Sequence, residues 1–128
     1  MKLRIQGNSM RLRVSRSELA RFAETGSLEE TIVFGREHGA ELTYALLRDL
    51  ERKAVDVQSS PQRVVIAIPA KEVRDWSSTD QVGIAAEVDL GPRGTLSVLI
   101  EKDFACLDRS DEENADTFQN PHAATHAC

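Results

Sequence analysis

The chain has 128 residues, of which 41% are hydrophobic and 29% charged, a length that suits one folded domain and excludes two catalytic domains. Its 16 basic and 21 acidic residues give a formal net charge of −5, which argues against nucleic acid as a general partner, because phosphates favour an excess of Lys and Arg. The sequence has no apolar run long enough to span a membrane, no signal peptide, and only two cysteines, too few for a disulfide-rich secreted protein. We therefore expect a cytoplasmic protein with no membrane segment.

The N-terminal segment predicts a β-hairpin. Apolar and basic residues alternate from Lys2 to Val14, but the apolar positions change from odd to even numbers across residues 6–9. Because successive side chains of a strand point to opposite faces, one unbroken strand would expose one of the two apolar sets. A turn at Gly7-Asn8 avoids this exposure, and we favour it over a single strand kinked by a bulge.

A helix is predicted directly after the hairpin. Ser15 and Glu18 have the spacing of a capping box, Leu19 and Phe22 fall on one helical face, and Gly26 is typical of a helix C-terminus. Strands are expected to follow at 28–34, 41–47 and 54–58.

The second half of the chain repeats this plan. Its predicted elements are a strand at 63–68, a helix at 70–76 and strands at 82–88 and 96–100. One constant shift along the sequence aligns the two halves without a gap. The residues that this shift matches include Glu18 with Glu72, Phe22 with Trp76, and Leu28 with Val82. Two similar but unrelated units could give this pattern; we favour an internal repeat, with copies at about 10–47 and 64–101, because the helical Glu and the aromatic residue recur in register.

The predicted fold is α+β. Two βαββ units form an antiparallel sheet with two helices, in a single domain that covers residues 1–107. From Asp108 the composition changes to acidic and small polar residues without an apolar pattern, and such a segment buries too little surface to offset its ordering entropy. We therefore expect an irregular acidic C-terminal tail at 108–128.

Charge is unevenly distributed along the chain. The segment 1–16 holds five cations and no acid, whereas the segment 101–128 holds seven acids and two bases. The five cations are Lys2, Arg4, Arg11, Arg13 and Arg16. An anionic ligand or RNA could use them, but we favour the interpretation that the acidic segment lies over these basic strands, in the same chain or in a second copy within a homo-oligomer.

Three motifs resemble those of a small family of uncharacterised bacterial proteins. They are Lys2-Leu-Arg-Ile-Gln-Gly-Asn-Ser-Met-Arg-Leu-Arg13, Leu28-Glu-Glu-Thr31 followed by Phe34-Gly35, and Ile100-Glu-Lys-Asp-Phe-Ala-Cys-Leu-Asp108. The resemblance covers almost the whole chain and includes a closing segment matched by Asn120-Pro121 and Cys128. It carries no known activity and therefore implies no catalytic residue.

Cysteines and histidines near the C-terminus form a candidate metal site. Cys106, His122, His126 and Cys128 supply the two thiolates and two imidazoles of a tetrahedral Zn²⁺ shell. Their spacing differs from that of standard zinc motifs, and only the two cysteines match the family pattern. The alternatives are that Cys106 is a buried apolar residue beside a loose tail, or that Cys106 and Cys128 form a thiol pair or disulfide.

The sequence contains no complete catalytic motif. We expect a non-enzymatic binding or interaction module in which a metal or thiol site ties down the C-terminal tail. The alternative is a small enzyme on a paired-module fold of the vicinal-oxygen-chelate type, by analogy of fold alone. Such an enzyme would need His and carboxylate ligands on its sheet, and no predicted strand contains a His.

Overall fold

Short segments that carry apolar residues on at least one face form eight strands, and two amphipathic stretches form two helices, in the part of the chain that the structure describes. The structure is a computed structural model, and it describes residues 1–105 and 114–119. The strands are β1 (Lys2–Gln6), β2 (Ser9–Val14), β3 (Ser27–Val33), β4 (Glu41–Asp49), β5 (Asp56–Ser60), β6 (Arg63–Pro69), β7 (Gly83–Asp89) and β8 (Thr95–Lys102), and the helices are α1 (Arg16–Thr25) and α2 (Ala70–Ser78). The predicted α+β class with two helices is confirmed.

The N-terminal hairpin is confirmed as well. β1 and β2 pair antiparallel, and Gly7 in the turn has a φ of 55°, a left-handed conformation that favours glycine. The turn changes the phase of the apolar pattern. As a result Met10, Leu12 and Val14 all point from β2 into the core.

Helix α1 begins and ends where the sequence predicts. The Ser15 side chain accepts a hydrogen bond from the backbone N–H of Glu18, and the Glu18 carboxylate accepts one from the backbone N–H of Ser15. At the other end Gly26 is left-handed, and its N–H donates to the carbonyl of Phe22. Helix α2 begins after Pro69, which offers no side-chain cap. The first turn of α1 is therefore held by more hydrogen bonds than that of α2.

The strands form two mixed sheets, which corrects the expected antiparallel sheet. Sheet A has the order β1-β2-β8-β7, and sheet B has the order β3-β4-β6-β5. Strands joined by a hairpin pair antiparallel, whereas β2 pairs with β8, and β4 with β6, in parallel. These two parallel pairs join strands from opposite halves of the chain, and a local sequence pattern contains no information on such pairings.

The inner faces of both sheets and one face of each helix enclose a single hydrophobic core. Phe22 of α1 and Trp76 of α2 are completely buried. The indole N–H of Trp76 donates to the carbonyl of Val82 at 3.1 Å, so this buried donor is satisfied. The other large side chains that are fully buried are Leu12, Val14, Leu46, Ile66, Ile68, Val73 and Ile100. The outer faces of the sheets are not used by this core.

Corresponding elements of the two halves begin at a constant offset along the chain. The shift that places the start of β1 on the start of β5 also places α1 on α2, β2 on β6 and β4 on β8. The register of the parallel pairs also recurs, since Ser9 lies opposite Ser97 in sheet A and Arg63 lies opposite Thr43 in sheet B. Replacing each strand of sheet A by its counterpart in the other half gives the strand order of sheet B.

The two halves differ in the connection between the helix and the next strand. One residue joins α1 to β3 and four join α2 to β7, and the turns that follow have seven and five residues. Ile84 lies opposite Ile100, as Leu28 lies opposite Leu46. The expected match of Leu28 with Val82 is therefore wrong, because Ile84 occupies this position and is 5% exposed whereas Val82 is 52% exposed.

Truncation of Ile84 and of Val82 distinguishes the two alignments. We expect Ile84→Ala to lower the free energy of unfolding by about 2 to 5 kcal/mol, because it leaves a cavity in the core. Val82→Ala should lower it by less than about 0.5 kcal/mol, because that side chain is already largely in water. Urea denaturation measures both values, and equal losses would contradict the corrected alignment.

Candidate anion-binding site

Four cationic side chains project from the outer face of sheet A. The apolar residues of β2 point into the core, so Arg11 and Arg13 between them point outward. Lys2 lies directly opposite Arg13, and Arg4 lies directly opposite Arg11, so all four share one face. We call these four residues the basic face. Both cross-strand pairs join like charges, which destabilises a sheet unless anions compensate them.

Two carboxylates from β8 and the residue after it compensate part of this charge. Glu101 Oε1 lies 3.1 Å from Arg13 Nε and 2.8 Å from Arg11 Nε, and only the Arg13 N–H is aligned for a hydrogen bond. Lys2 Nζ donates to Asp103 Oδ2 at 3.0 Å. Among the described residues, no carboxylate forms an ion pair with Arg4. Counted over the described residues, the basic face therefore keeps two positive charges in excess.

The other half of the molecule shows that the fold does not require these cations. Hairpin β5–β6 has the same register as β1–β2, because Asp56 pairs with Ala67 and Gln58 with Val65. These four residues stand where the first half has its four cations. The same hairpin register therefore forms with neutral, apolar and acidic residues at these four positions, of which Ala67 is fully buried, so the hairpin does not require cations there.

A depression with a volume of about 300 Å³ extends from the basic face across sheet A. Two cross-strand rows line its outer surface: Arg4, Arg11, Leu99 and Ala85 form one row, and Gln6, Ser9, Ser97 and Glu87 form the next. The Ser97 hydroxyl donates to Glu87 Oε2 at 2.8 Å. The depression therefore has guanidinium groups at one side, a small apolar floor, and hydroxyl, amide and carboxylate groups along its neighbouring row.

A second charged cluster holds the start of β1. The Met1 amino group forms ion pairs with Glu18 and Glu30, and the Tyr44 hydroxyl donates to Glu30 Oε2 at 3.2 Å. Burial acts to raise the pKa of Glu18, but hydrogen bonds from Met1 and Ser15 outweigh it and hold that pKa below its usual value. Burial acts to lower the pKa of the Met1 amino group, and the same carboxylates outweigh it and raise that pKa. These groups tie β1 to α1 and sheet B.

Residues 114–119 of the predicted tail contact the domain. The Asp116 carboxylate accepts hydrogen bonds from the backbone N–H and the hydroxyl of Ser17 at the start of α1. Phe118 forms a parallel bridge with Phe104, and the two rings meet edge to face with centroids 6.1 Å apart. Glu101 and Asp103, at the start of the acidic segment, pair with the basic face, whereas contact of the tail at 108–128 with that face stays a prediction, because most of the tail lies outside the described residues.

The four expected metal ligands, Cys106, His122, His126 and Cys128, also lie outside the described residues. The zinc site and the thiol pair therefore stay predictions. Within residues 1–105 and 114–119, no group of three or more His, Cys, Asp or Glu side chains is arranged to hold a metal ion.

Sequence reasoning identifies the cations of the basic face but misses the residues that complete the depression. Ser97, Leu99 and Glu101 alternate along β8, and this alternation could have placed them on one outer face. Their position beside Arg11 and Arg13 depends on the parallel pairing of β8 with β2, which no local pattern indicates.

These features describe an α+β domain with two mixed sheets and a cationic depression on one of them. The chain belongs to DUF7009, a family of unknown function, whose model matches residues 1–122. No curated protein and no solved structure matches the chain. In the described part of the chain, neither helix is long and apolar enough to cross a lipid bilayer.

Glu18 gives the stability of the domain a dependence on pH. Because folding lowers its pKa, the ionised carboxylate stabilises the folded state above the unfolded pKa, and this stabilisation is lost as the pH falls through the lowered folded pKa. We expect Glu18→Gln to lower the free energy of unfolding at pH 7 by about 1 to 2 kcal/mol and to reduce its loss below about pH 4. Denaturation at pH 7 and at stepwise lower pH measures both effects. Glu24→Gln, an exposed position on the same helix, is the control, and an equal effect there would contradict the assignment.

Proposed function

We propose that this protein is a non-enzymatic binding module that holds an anionic ligand at the basic face of sheet A. The observation that carries the proposal is the pair of like-charge contacts, Lys2 opposite Arg13 and Arg4 opposite Arg11. Each contact opposes pairing of β1 with β2, and the corresponding hairpin forms without them. Glu101 and Asp103 offset part of this repulsion, and the positive charge that they leave uncompensated among the described residues is expected to serve a ligand.

The chemistry of the side chains favours binding over proton transfer. A guanidinium stays charged at physiological pH and presents a planar set of donors that matches a carboxylate or phosphate. Arg11 and Arg13 contact Glu101 through their Nε atoms. Together with Arg4 they form an anion-binding surface.

The size and lining of the depression favour a small ligand over nucleic acid. A volume of about 300 Å³ lies at the lower end of the range for small-molecule sites. No aromatic side chain is among the residues that line it, although single-stranded nucleic acids are usually held by stacking on such side chains. The net charge of −5 opposes a polyanionic partner further.

We also propose that the chain contains two copies of one ββαββ unit, which extends the predicted repeat by β1 and β5. Three observations support the proposal: the constant offset between corresponding elements, the shared register of the parallel pairs, and strand orders that interconvert between the sheets. On this interpretation the basic face distinguishes the first copy from the second.

A double substitution tests the binding proposal. Arg4→Ala/Arg11→Ala should weaken binding of inorganic phosphate at least tenfold, because each charge-assisted hydrogen bond contributes about 1.5 to 3 kcal/mol and tenfold corresponds to about 1.4 kcal/mol. Isothermal titration calorimetry or the chemical shifts of amide protons in sheet A measure the dissociation constant. Binding should also weaken with added salt.

The matched control is Arg21→Ala/Arg93→Ala, which removes the same charge from two exposed positions outside sheet A's outer face. It should leave phosphate binding within about threefold of that of the unsubstituted protein, a difference of less than about 0.7 kcal/mol. Equal losses in both double variants would show a general charge effect and would contradict a site at the basic face.

The cysteine pair is a separate proposal that supports the predicted anchoring of the tail. The backbone N–H of Ala105 donates to the carbonyl of Phe118 at 2.6 Å, so the chain returns beside the residue that precedes Cys106. If Cys106 and Cys128 share a metal, a chelator should lower the melting temperature; if they form a disulfide, a reductant should. Cys128→Ser should abolish either response, and a melting temperature insensitive to both reagents would contradict the pair.

A further inference from the structure

The depression on sheet A has two chemically different rows, and this difference restricts its ligand. The row that contains Arg4 and Arg11 continues across the sheet as Leu99 and Ala85. The neighbouring row is polar along its whole length and ends at Glu87 on β7. A ligand in the depression therefore meets cations at one side and hydrogen-bonding groups on the other. The following steps rest on the proposed function.

The charge at the cationic side favours a dianion. Among the described residues at this side of the depression, four cations and the two carboxylates of Glu101 and Asp103 leave two positive charges uncompensated. Glu101 already presents a carboxylate to Arg11 and Arg13. Because Glu101 is part of the same chain, this contact does not cost the translational and rotational entropy that a separate ligand loses on binding. A ligand carboxylate would pair with Arg4, which Glu101 does not reach, but it would bring only one negative charge. A phosphate monoester carries a charge of about −1.5 to −2 at pH 7 and three acceptor oxygens, and it matches the excess charge.

The polar row favours a ligand whose non-phosphate part carries hydroxyl groups. Glu87 accepts hydrogen bonds, and the amide of Gln6 both donates and accepts. The hydroxyls of Ser9 and Ser97 donate to the carbonyl of Gln6 and to Glu87, and their oxygens can accept from a ligand. Leu99 and Ala85 provide an apolar floor beside them, against which C–H groups can pack. Strands in a sheet are spaced by about 4.8 Å, so β2 and β7 lie about 10 Å apart on the two sides of β8. A phosphorylated sugar matches the depression in length. Its hydroxyl groups match the polar row, and its C–H face matches the apolar floor.

The geometry points to a sugar phosphate as the ligand: the phosphate monoester binds Arg4 and Arg11, and the sugar hydroxyls bind Ser97 and Glu87. A nucleobase finds no stacking partner among the lining residues, all of which are non-aromatic. Glu87 is therefore a specificity residue, because its carboxylate favours hydroxyl donors and repels a second anionic group.

Three probes and two double variants test this assignment by isothermal titration calorimetry. The probes are inorganic phosphate, glucose 6-phosphate and ribose 5-phosphate. Both sugar phosphates should bind the unsubstituted protein more tightly than inorganic phosphate, at least one of them by tenfold or more. Glu87→Gln/Ser97→Ala should remove this advantage and leave the affinity for inorganic phosphate within about threefold, because the phosphate contacts lie at the other side. Glu24→Gln/Ser78→Ala, at exposed positions of the helices, is the matched control and should change neither affinity.

The outcomes separate the two proposals. If inorganic phosphate binds through Arg4 and Arg11 but both sugar phosphates bind no more tightly, or if Glu87→Gln/Ser97→Ala weakens all three probes alike, the sugar phosphate assignment is wrong and the anion-binding function stands. If none of the three probes binds, or if Arg4→Ala/Arg11→Ala leaves their binding unchanged, the proposed function itself is wrong. A circular dichroism spectrum of each variant confirms that it is folded.

Discussion

The parallel pairing of β2 with β8 is the contact on which both the fold and the candidate site depend. β2 comes from the first half of the chain and β8 from the second, and their register places Arg13 opposite Glu101 and Arg11 opposite Leu99. Without this neighbour the cations of the N-terminal hairpin would face only one another. The same type of pairing joins β4 to β6, so each sheet is completed by strands of the other half. One interaction thus closes the core and builds the floor of the depression.

The two halves share their inner surface and differ in their outer one. Inward positions of β2 and β6 are apolar in both halves, as at Leu12 and Ile66, because close packing in the core tolerates little variation. Outward positions of the same strands hold Arg11 in one half and Val65 in the other. Packing in the core constrains the inward residues of both halves, whereas the outward residues of each sheet can differ in charge and polarity. This division allows the two halves to differ in charge on the outside of their sheets.

The sequence predicts the features that depend on neighbouring residues. The turn at Gly7 follows from a change of phase in the apolar pattern, and the start of α1 follows from the spacing of Ser15 and Glu18. Features that depend on residues far apart in the sequence cannot be predicted from such local patterns. The sequence predicts an antiparallel sheet because hairpins are the only strand pairings that a local pattern indicates. The parallel pair in sheet A joins strands near opposite ends of the domain. Ile84 is missed for a related reason, since the longer connection before β7 is offset by a shorter helix and a shorter turn.

The candidate site, too, could be predicted only in part from the sequence. The cations of the basic face all lie between Lys2 and Arg13 and are visible in the sequence, but their interpretation depends on what lies beside them. Glu101, Ser97 and Glu87 reach the basic face through pairings of β8 with β2 and β7. The distribution of charge along the sequence suggests that the acidic segment covers the basic face. The three-dimensional arrangement adds an outward depression with its own polar row, which favours a ligand from solution.

The exchange of strands between the halves also affects the order of events during synthesis. β8 is the last strand that the structure describes, and it begins only at Thr95, whereas β2 ends at Val14. At about 5 to 20 residues per second, the ribosome needs roughly 4 to 16 s to supply this missing neighbour. Throughout that time β2, with Leu12 and Val14 on its apolar side, lacks its parallel neighbour and the part of the core that β8 supplies. Two such nascent hairpins that met side by side would bring Arg4 and Arg11 of both chains together, and their mutual repulsion opposes aggregation. The like charges of the hairpin thus oppose its pairing with a second hairpin before folding is complete.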